Sequence, residues 1–336
     1  MNQNAIQTVK KPYFFFITLL RALAAVVITN AHYTGIYPSD IIANGGLLGD
    51  VIFFSVSGFC LANPKMSFGK WYLKRLWRIY AVVWVITIVY VLLGAYEVKN
   101  WVDGLKWFVH PTKYHFVASI TLLYIPLYFV ARYVKLTKKN VALMSLGLMA
   151  VQFVLYLTIY DTTYYHIDKV REPMIEFLFF QSMLLGLFFR TEYSSASVQT
   201  KKSRWGGQNV WLWILLIVLL GVYFASKMLF VKKASLAEWQ ILNQVVLFVT
   251  LIVLFNRAYS IEDILKKWSE KKSWKIVEFL SDHTLEIYCV QYVIIKIVRL
   301  LDLAFPLNWL VLTASILLAA TALRWVSQKV IKIVKI

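Results

Sequence analysis

The chain has 336 residues, of which 60% are hydrophobic and only 16% are charged, and its net charge is +19. Soluble domains carry about 25% charged residues, so this composition excludes a single soluble core. It favours a polytopic membrane protein, whose lipid-facing surface is apolar as well. The basic charge would suit a nucleic-acid partner, but no soluble basic domain is present to bind one, so we predict none.

Ten apolar segments, taken in chain order, are long enough to cross a bilayer. They cover residues 13–33, 46–62, 79–96, 114–133, 141–160, 173–190, 209–228, 239–256, 277–299 and 307–327. The ninth is the weakest, because four ionisable side chains lie in its first half. No polar stretch is long enough to fold separately. We therefore predict an all-α integral membrane protein with about ten transmembrane helices and a single domain over residues 1–336.

The lysines and arginines predict how these segments are oriented. If the N-terminus is cytosolic, the segments on the cytosolic side hold 25 of the 36 basic residues and the outer loops hold nine. Positive charge collects on the cytosolic side of membrane proteins. Both termini are therefore predicted to be cytosolic, and the net charge needs no other explanation.

Two ionisable residues stand in the first apolar segment, in the stretch RALAAVVITNAH from Arg21 to His32. They are eleven residues apart, so in a helix they share one face and lie about 16 Å apart along the axis. An arginine in mid-membrane costs about 3 kcal/mol, so both side chains are expected to face the bundle interior. Snorkelling of Arg21 and an interfacial position of His32 are the alternatives.

A basic and aromatic cluster follows in WYLKRLWRIY, residues 71–80. Arg75 and Arg78 share a helix face, and Lys74 precedes them. A guanidinium group binds phosphate in a planar, bidentate manner, so the cluster suits a phosphate-rich cytosolic ligand. An ordinary basic anchor at the membrane surface is the alternative.

Other polar residues in the predicted spans have both a structural and a functional interpretation. Ser57 and Gly58 are small residues that allow close helix packing. Glu176 and Glu286 are costly intramembrane carboxylates, and therefore either functional or paired with a basic residue. Cys60 and the second cysteine, at position 289, fit no disulfide framework and no metal-ligand spacing, so we predict no metal site.

Together and in this order, these stretches resemble the acyltransferase-3 family of integral-membrane O-acyltransferases. Arg21 and His32 resemble the family's arginine and histidine, separated by ten residues in the first helix. GDVIFFSVSGF resembles its second helix and KRLWRIYA its Arg-Arg-x-x-Arg-Ile-Tyr-Pro run, while YHFVASITLLYIPLY and FLSDHTLEIYCVQY resemble two later segments. The resemblance covers nearly the whole chain. Lys74, Ala81 and Gln291 depart from it, standing where the family has arginine, proline and histidine.

The resemblance implies transfer of an acyl group, usually acetyl, from acetyl-CoA to a hydroxyl of a cell-surface or lipid-linked polysaccharide such as capsule or exopolysaccharide. It also implies a bacterial cytoplasmic membrane. Acetyl-CoA is then a diffusible donor, and no permanently bound cofactor is expected. Its phosphates are expected to bind at Lys74, Arg75 and Arg78, with Tyr80 as a further match to the motif.

The same resemblance assigns the chemistry to His32 and Arg21. His32 is expected to act either as the general base for the hydroxyl or as a covalent acyl relay, and the residues do not decide between the two. Arg21 is expected to stabilise the oxyanion or the thioester end of the donor. Ser57, Glu176 and Glu286 are possible supporting residues.

Two other functions remain open at this point. A transporter, a flippase or a polymerase-like protein for a lipid-linked glycan would also carry charges inside its spans. The sequence lacks the matched pair of Gly/Pro-broken helices that indicates a transporter site. A non-catalytic membrane scaffold is the third possibility, and it predicts that substitutions at His32 and Arg75 leave activity unchanged.

Overall fold

The computed structural model of the protein describes residues 13–169, 172–194 and 209–333. Every regular element in this part of the chain is helical, which confirms the all-α prediction. The helices are α1 (Phe15–Ala31), α2 (Gly46–Leu61), α3 (Phe68–Leu92), α4 (Trp101–Gly104), α5 (His115–Tyr133), α6 (Lys138–Ile159), α7 (Pro173–Ser194), α8 (Val210–Lys232), α9 (Ile241–Ser260), α10 (Glu262–Ser269), α11 (Trp274–Asp282), α12 (Thr284–Arg299) and α13 (Leu307–Ile333). A π-helical turn, Leu105–Val109, follows α4, and a 3₁₀ turn, Ala234–Trp239, precedes α9.

Seven of the described helices are long and apolar enough to cross a membrane, namely α3, α5, α6, α7, α8, α9 and α13. Helices α1 and α2 are apolar but shorter, with 17 and 16 residues. A multi-pass membrane protein is therefore confirmed, while the count of ten spans and the cytosolic side of both termini stay predictions. Residues 1–12, 170–171, 195–208 and 334–336, whose basic residues enter the orientation argument, lie outside the described residues.

The predicted segment 277–299 is broken at His283, between α11 and α12. At the break, side-chain groups bond backbone carbonyl oxygens of α11. His283 Nδ1 bonds the carbonyl oxygen of Phe279 at 2.8 Å, and Arg324 of α13 donates to the carbonyl oxygen of Asp282. The polar residues that weakened this segment in the sequence therefore mark a turn between two helices.

Helices α1 and α2 form the centre of the bundle. Helix α2 packs against α1 and α7, and α1 also packs against α11 and α12. The crossing of α2 and α7 brings backbone against backbone: a Cβ on Gly58 would overlap the carbonyl of Met183, and one on Gly186 would overlap the carbonyl of Ser55. The close packing that the small residues predict is thus present at Gly58.

A carboxylate from α10 caps the start of α1. The two oxygens of Glu262 accept the backbone N–H groups of Phe15 and Phe16, each at 2.8 Å. An acidic group at a helix N-terminus satisfies unpaired N–H groups and suits the helix dipole. This contact joins residues almost 250 positions apart and fixes the helix that carries Arg21 and His32.

The segment between α3 and α5, residues 101–113, folds back along α3. The hydroxyl of Tyr80 donates to the carbonyl oxygen of Val109 at 2.5 Å, and Trp84 Nε1 donates to that of Phe108 at 2.7 Å. Trp84 and Tyr80 lie about 12 and 18 Å before the end of α3 at Leu92, at 1.5 Å per residue. We call residues 101–113 the re-entrant segment.

Candidate functional site

His32 lies directly after the end of α1. Its Nδ1 atom is 2.7 Å from the carbonyl oxygen of Ile28, one turn earlier. A carbonyl oxygen only accepts, so Nδ1 carries the proton in this bond, and the neutral ring presents Nε2 as an unprotonated nitrogen. The side chain is accessible, so Nε2 is available to a reacting group.

Gln291 of α12 is the second group beside the His32 ring. Its amide nitrogen lies 3.5 Å from Nδ1, and its amide oxygen is buried without a hydrogen-bond partner among the described residues. Turning the amide by 180° brings this oxygen towards the Nδ1 proton, and the nitrogen and oxygen of an amide are assigned from just such partners. Gln291, which stands where the family has histidine, therefore still lies beside the ring of His32.

The face of α1 between Arg21 and His32 borders a small cavity of about 10 Å³. Ala25, Ile28 and Thr29 line it from α1, and they follow Arg21 at helical spacing, so they share its face. Helices α2, α5 and α12 supply the other walls. The volume is enough for about one water molecule, and neither Arg21 nor His32 lines the cavity.

Arg21 is half-buried and belongs to a group of arginines near the start of α1. Electrostatic interactions connect the thiol of Cys60, at the end of α2, with the guanidinium groups of Arg21, Arg75 and Arg190. None of these three arginines forms an ion pair with a described residue. We call Arg21, Arg75 and Arg190 the arginine cluster; three unpaired guanidinium groups in one place are suited to bind a polyanion.

Sequence reasoning missed Arg190. It lies near the end of α7, where a basic residue reads as part of the positive-inside pattern. In the structure its guanidinium carbon lies 4.7 Å from the ring centroid of Phe14 and 5.2 Å from that of Phe59. These rings hold the cation towards the interior. Only the packing of α7 on α2 reveals this position.

The other predicted donor-site residues, Arg78, Lys74 and Tyr80, and the supporting residue Ser57 divide into two groups. Arg78 interacts electrostatically with Arg75, and the hydroxyl of Ser57 lies 3.2 Å from that of Tyr124, which interacts electrostatically with Arg75. Lys74 is exposed, and no contact given for the described residues links it to the arginine cluster. Tyr80 contacts the re-entrant segment instead, as described above.

The two suspect carboxylates lie in different places. Glu286 of α12 is 3.6 Å from Arg324 of α13 and also interacts electrostatically with Arg21. It therefore has a basic partner, as one of its two interpretations predicted. Glu176, in the first turn of α7, accepts a hydrogen bond from the hydroxyl of Ser119 on α5, away from the arginine cluster.

In the described part of the chain, no group of three or more His, Cys, Asp or Glu side chains is arranged to hold a metal ion. His166 of the loop after α6 is buried and stacked between the rings of Tyr160 and Tyr164, at centroid distances of 4.7 and 4.2 Å. This stacking holds the loop after α6 in place.

The described part of the chain combines seven helices that are long and apolar enough to cross a membrane with an exposed histidine directly after the end of α1 and an arginine in its first half. These features define a helical, multi-pass membrane protein. The family model described as an acyltransferase domain, that of the acyltransferase-3 family, matches residues 14–326. The chain belongs to the acyltransferase-3 family, and the protein is a multi-pass membrane acyltransferase. No curated protein and no solved structure matches the chain.

Proposed function

We propose that the protein transfers an acetyl group from acetyl-CoA to a hydroxyl group of a cell-surface or lipid-linked polysaccharide, in a bacterial cytoplasmic membrane. The observation that carries the proposal is the bond from His32 Nδ1 to the carbonyl oxygen of Ile28. It leaves Nε2 as an accessible nitrogen with a free lone pair. Imidazole has an unperturbed pKa of about 6.5, which suits proton transfer from a hydroxyl near neutral pH.

The donor binds at the arginine cluster, on the predicted cytosolic face where acetyl-CoA is available. Coenzyme A carries several phosphates, and arginine recognises phosphate by paired, charge-assisted hydrogen bonds. The acetyl group then reaches His32 along the face of α1 that contains Ala25. Acetyl-CoA therefore extends along α1, with its phosphates at one end of the helix and its acetyl group at the other.

At His32 the reaction takes one of two courses. In the first, Nε2 removes the proton of the acceptor hydroxyl while the hydroxyl oxygen attacks the thioester carbonyl. The new C–O bond forms and the C–S bond breaks. The thiolate of coenzyme A then takes up the proton from Nε2. In the second, Nε2 attacks the thioester carbonyl, the C–S bond breaks, and coenzyme A leaves as the thiolate. The acceptor hydroxyl then attacks the acetyl-imidazole; the C–O bond forms, the C–N bond breaks, and the hydroxyl proton ends on the thiolate of coenzyme A. Both courses need the proton to stay on Nδ1, in its hydrogen bond to the carbonyl oxygen of Ile28, because Nε2 then keeps its lone pair.

Arg21 binds the acyl donor and does not stabilise the oxyanion. It lies about 16 Å from His32 along the helix, and helical side chains point towards the N-terminus, so its guanidinium group extends away from the histidine. We therefore place Arg21 with Arg75 and Arg190 on the phosphates of the donor.

The experiment compares the surface polysaccharide of cells that express the protein with that of cells expressing His32→Ala. NMR of the purified polysaccharide is expected to show loss of its acetyl esters in the variant. Lys266→Ala removes an exposed cation from α10 and is expected to leave the esters unchanged at equal expression. Full acetylation in the His32→Ala cells would contradict the proposal.

A further inference from the structure

A second, larger cavity of about 430 Å³ lies beside the N-terminal half of α5. Small-molecule sites typically have volumes of about 300–1,000 Å³. Its walls are the re-entrant segment, the first two turns of α5 and the start of α7. Most of the side chains on these walls are ionisable or carry a hydroxyl, among them Lys106, His110, Lys113, His115, Ser119 and Glu176.

The re-entrant segment brings two lysines to this cavity. Lys106 and Lys113 are exposed, and neither forms an ion pair with another residue in the described ranges. The Nζ atom of Lys113 lies 5.7 Å from the ring centroid of Trp107, a buried residue of the same segment. Two unpaired ammonium groups in a recess attract an anionic group.

Glu176 supplies the cavity with a carboxylate, which accepts hydrogen bonds. One oxygen accepts the hydroxyl of Ser119, while the other is buried and has no hydrogen-bond partner among the described residues. A buried carboxylate oxygen without a donor is costly. A ligand hydroxyl would remove that cost when the Glu176 side chain, which lines the cavity, turns this oxygen towards it. The cavity thus offers cations for an anion and an acceptor for a hydroxyl.

We propose that this cavity binds the acyl acceptor, and that the acceptor is an acidic sugar unit with a carboxylate or phosphate group. Lys106 and Lys113 contact the anionic group, and the free oxygen of Glu176 accepts a sugar hydroxyl. This inference rests on the proposed function, because only an acyltransferase acting on glycans needs such an acceptor. Neutral sugars lack the group that two lysines would recognise.

Two neighbouring residues at the start of α5 line the large and the small cavity. His115 faces the large cavity, while the next residue, Phe116, lines the small one together with Ile28 and Thr29. The ring of Phe116 lies 5.3 Å from that of Tyr288 on α12. Phe116 therefore stands between the acceptor cavity and the face of α1 that leads to His32.

The test uses the full-length protein in nanodiscs of phosphatidylcholine, with radiolabelled acetyl-CoA and three acceptors: cellobiose, cellobiouronic acid and cellobiose 1-phosphate. We expect kcat/KM for the two acidic sugars to exceed that for cellobiose about tenfold or more, as charge-assisted contacts provide. Lys106→Gln with Lys113→Gln is expected to abolish this preference through KM. The matched pair Lys232→Gln and Lys233→Gln, at the end of α8, is expected to retain it.

Glu176→Gln is expected to lower kcat/KM for all three sugars alike, because each presents hydroxyls. Equal kcat/KM for the three sugars in the wild type, with transfer still abolished by His32→Ala, would overturn the acceptor assignment and leave the proposed function standing. Absence of transfer to every sugar would contradict both.

A phosphate group could also come from a lipid, and nanodiscs of phosphatidylglycerol separate the two sources. If the acidic sugar is the ligand, the preference stays the same in both lipids. A lysine-dependent change in the rate with cellobiose on going to phosphatidylglycerol would show that a lipid headgroup occupies the cavity, and would overturn the inference.

Discussion

The Nδ1 atom of His32 lies 2.7 Å from the carbonyl oxygen of Ile28, in the last turn of α1. The bond satisfies a carbonyl that the end of the helix leaves without a partner, a common use of basic side chains at helix C-termini. It also fixes which nitrogen is free. The position of Nε2 therefore follows from the position of α1, which Glu262 caps at its other end.

Gln291 is expected to support this arrangement from α12. Replacing it with leucine keeps a side chain of similar size and removes the amide beside Nδ1. We expect Gln291→Leu to lower kcat several-fold with an unchanged KM for acetyl-CoA, because the histidine is less well oriented while the donor site is intact. Steady-state kinetics of the purified variant measure both constants. A raised KM at unchanged kcat would show that Gln291 acts on the donor instead.

Ala25 is expected to control passage of the acetyl group. It is buried and lines the cavity of about 10 Å³ on the face of α1 along which we propose that the acetyl group moves, so a larger side chain would fill this cavity. We expect Ala25→Leu to reduce acetyl transfer at least about tenfold, the effect of misplacing a reacting group, while the Kd for acetyl-CoA changes little. Val26→Leu alters the exposed neighbouring face and serves as the control. Wild-type transfer by Ala25→Leu would exclude this route.

Arg190 is expected to bind the donor, although its sequence position gives no indication of this. Arg190→Ala removes one cation of the arginine cluster, and KM for acetyl-CoA should rise about tenfold, the loss of one charge-assisted contact. Arg190→Lys keeps the charge without the planar group and should fall between the two. Lys266→Ala is the control for a lost surface cation. If KM were the same in Arg190→Ala and in the wild type, the cluster would be limited to Arg21 and Arg75.

Gly58 is expected to be indispensable for packing. A methyl group there meets the backbone of Met183, which cannot move aside as a side chain can. We expect Gly58→Ala to cost about 1–3 kcal/mol, the range for overpacking a core, and to lower the midpoint of thermal unfolding in detergent. Gly147→Ala on α6 adds its methyl group to open space and should not lower it. Equal midpoints for both variants would contradict the close contact of α2 and α7.

The sequence predicts the helices well because the membrane imposes a simple rule on it. Nine of the ten apolar segments coincide with one helix each, since a chain in lipid must satisfy its backbone within the segment. The ninth segment, 277–299, breaks at His283, where the histidine bonds the carbonyl oxygen of Phe279 and Arg324 of α13 bonds that of Asp282. No local pattern shows the contact from α13. The family motifs likewise indicate Arg21 and His32, whose roles in the reaction stay predictions.

What the sequence does not reveal depends on contacts between distant segments. The carboxylate of Glu262 caps a helix almost 250 residues earlier, and Arg190 reaches the arginine cluster only through the crossing of α7 and α2. The return of the re-entrant segment along α3 rests on two hydrogen bonds, from Tyr80 and Trp84. In each of these contacts the partners are too far apart in the sequence for a local pattern to predict that they meet.

The central claim is that His32 performs the transfer. The most direct measurement is a single-turnover assay, in which purified protein is loaded with radiolabelled acetyl-CoA and mixed with acceptor polysaccharide. We predict that His32→Ala slows acetyl transfer by about 10²–10⁴-fold, the contribution of a positioned general base, while its Kd for acetyl-CoA stays at the wild-type value. Transfer by His32→Ala at the wild-type rate would contradict the account.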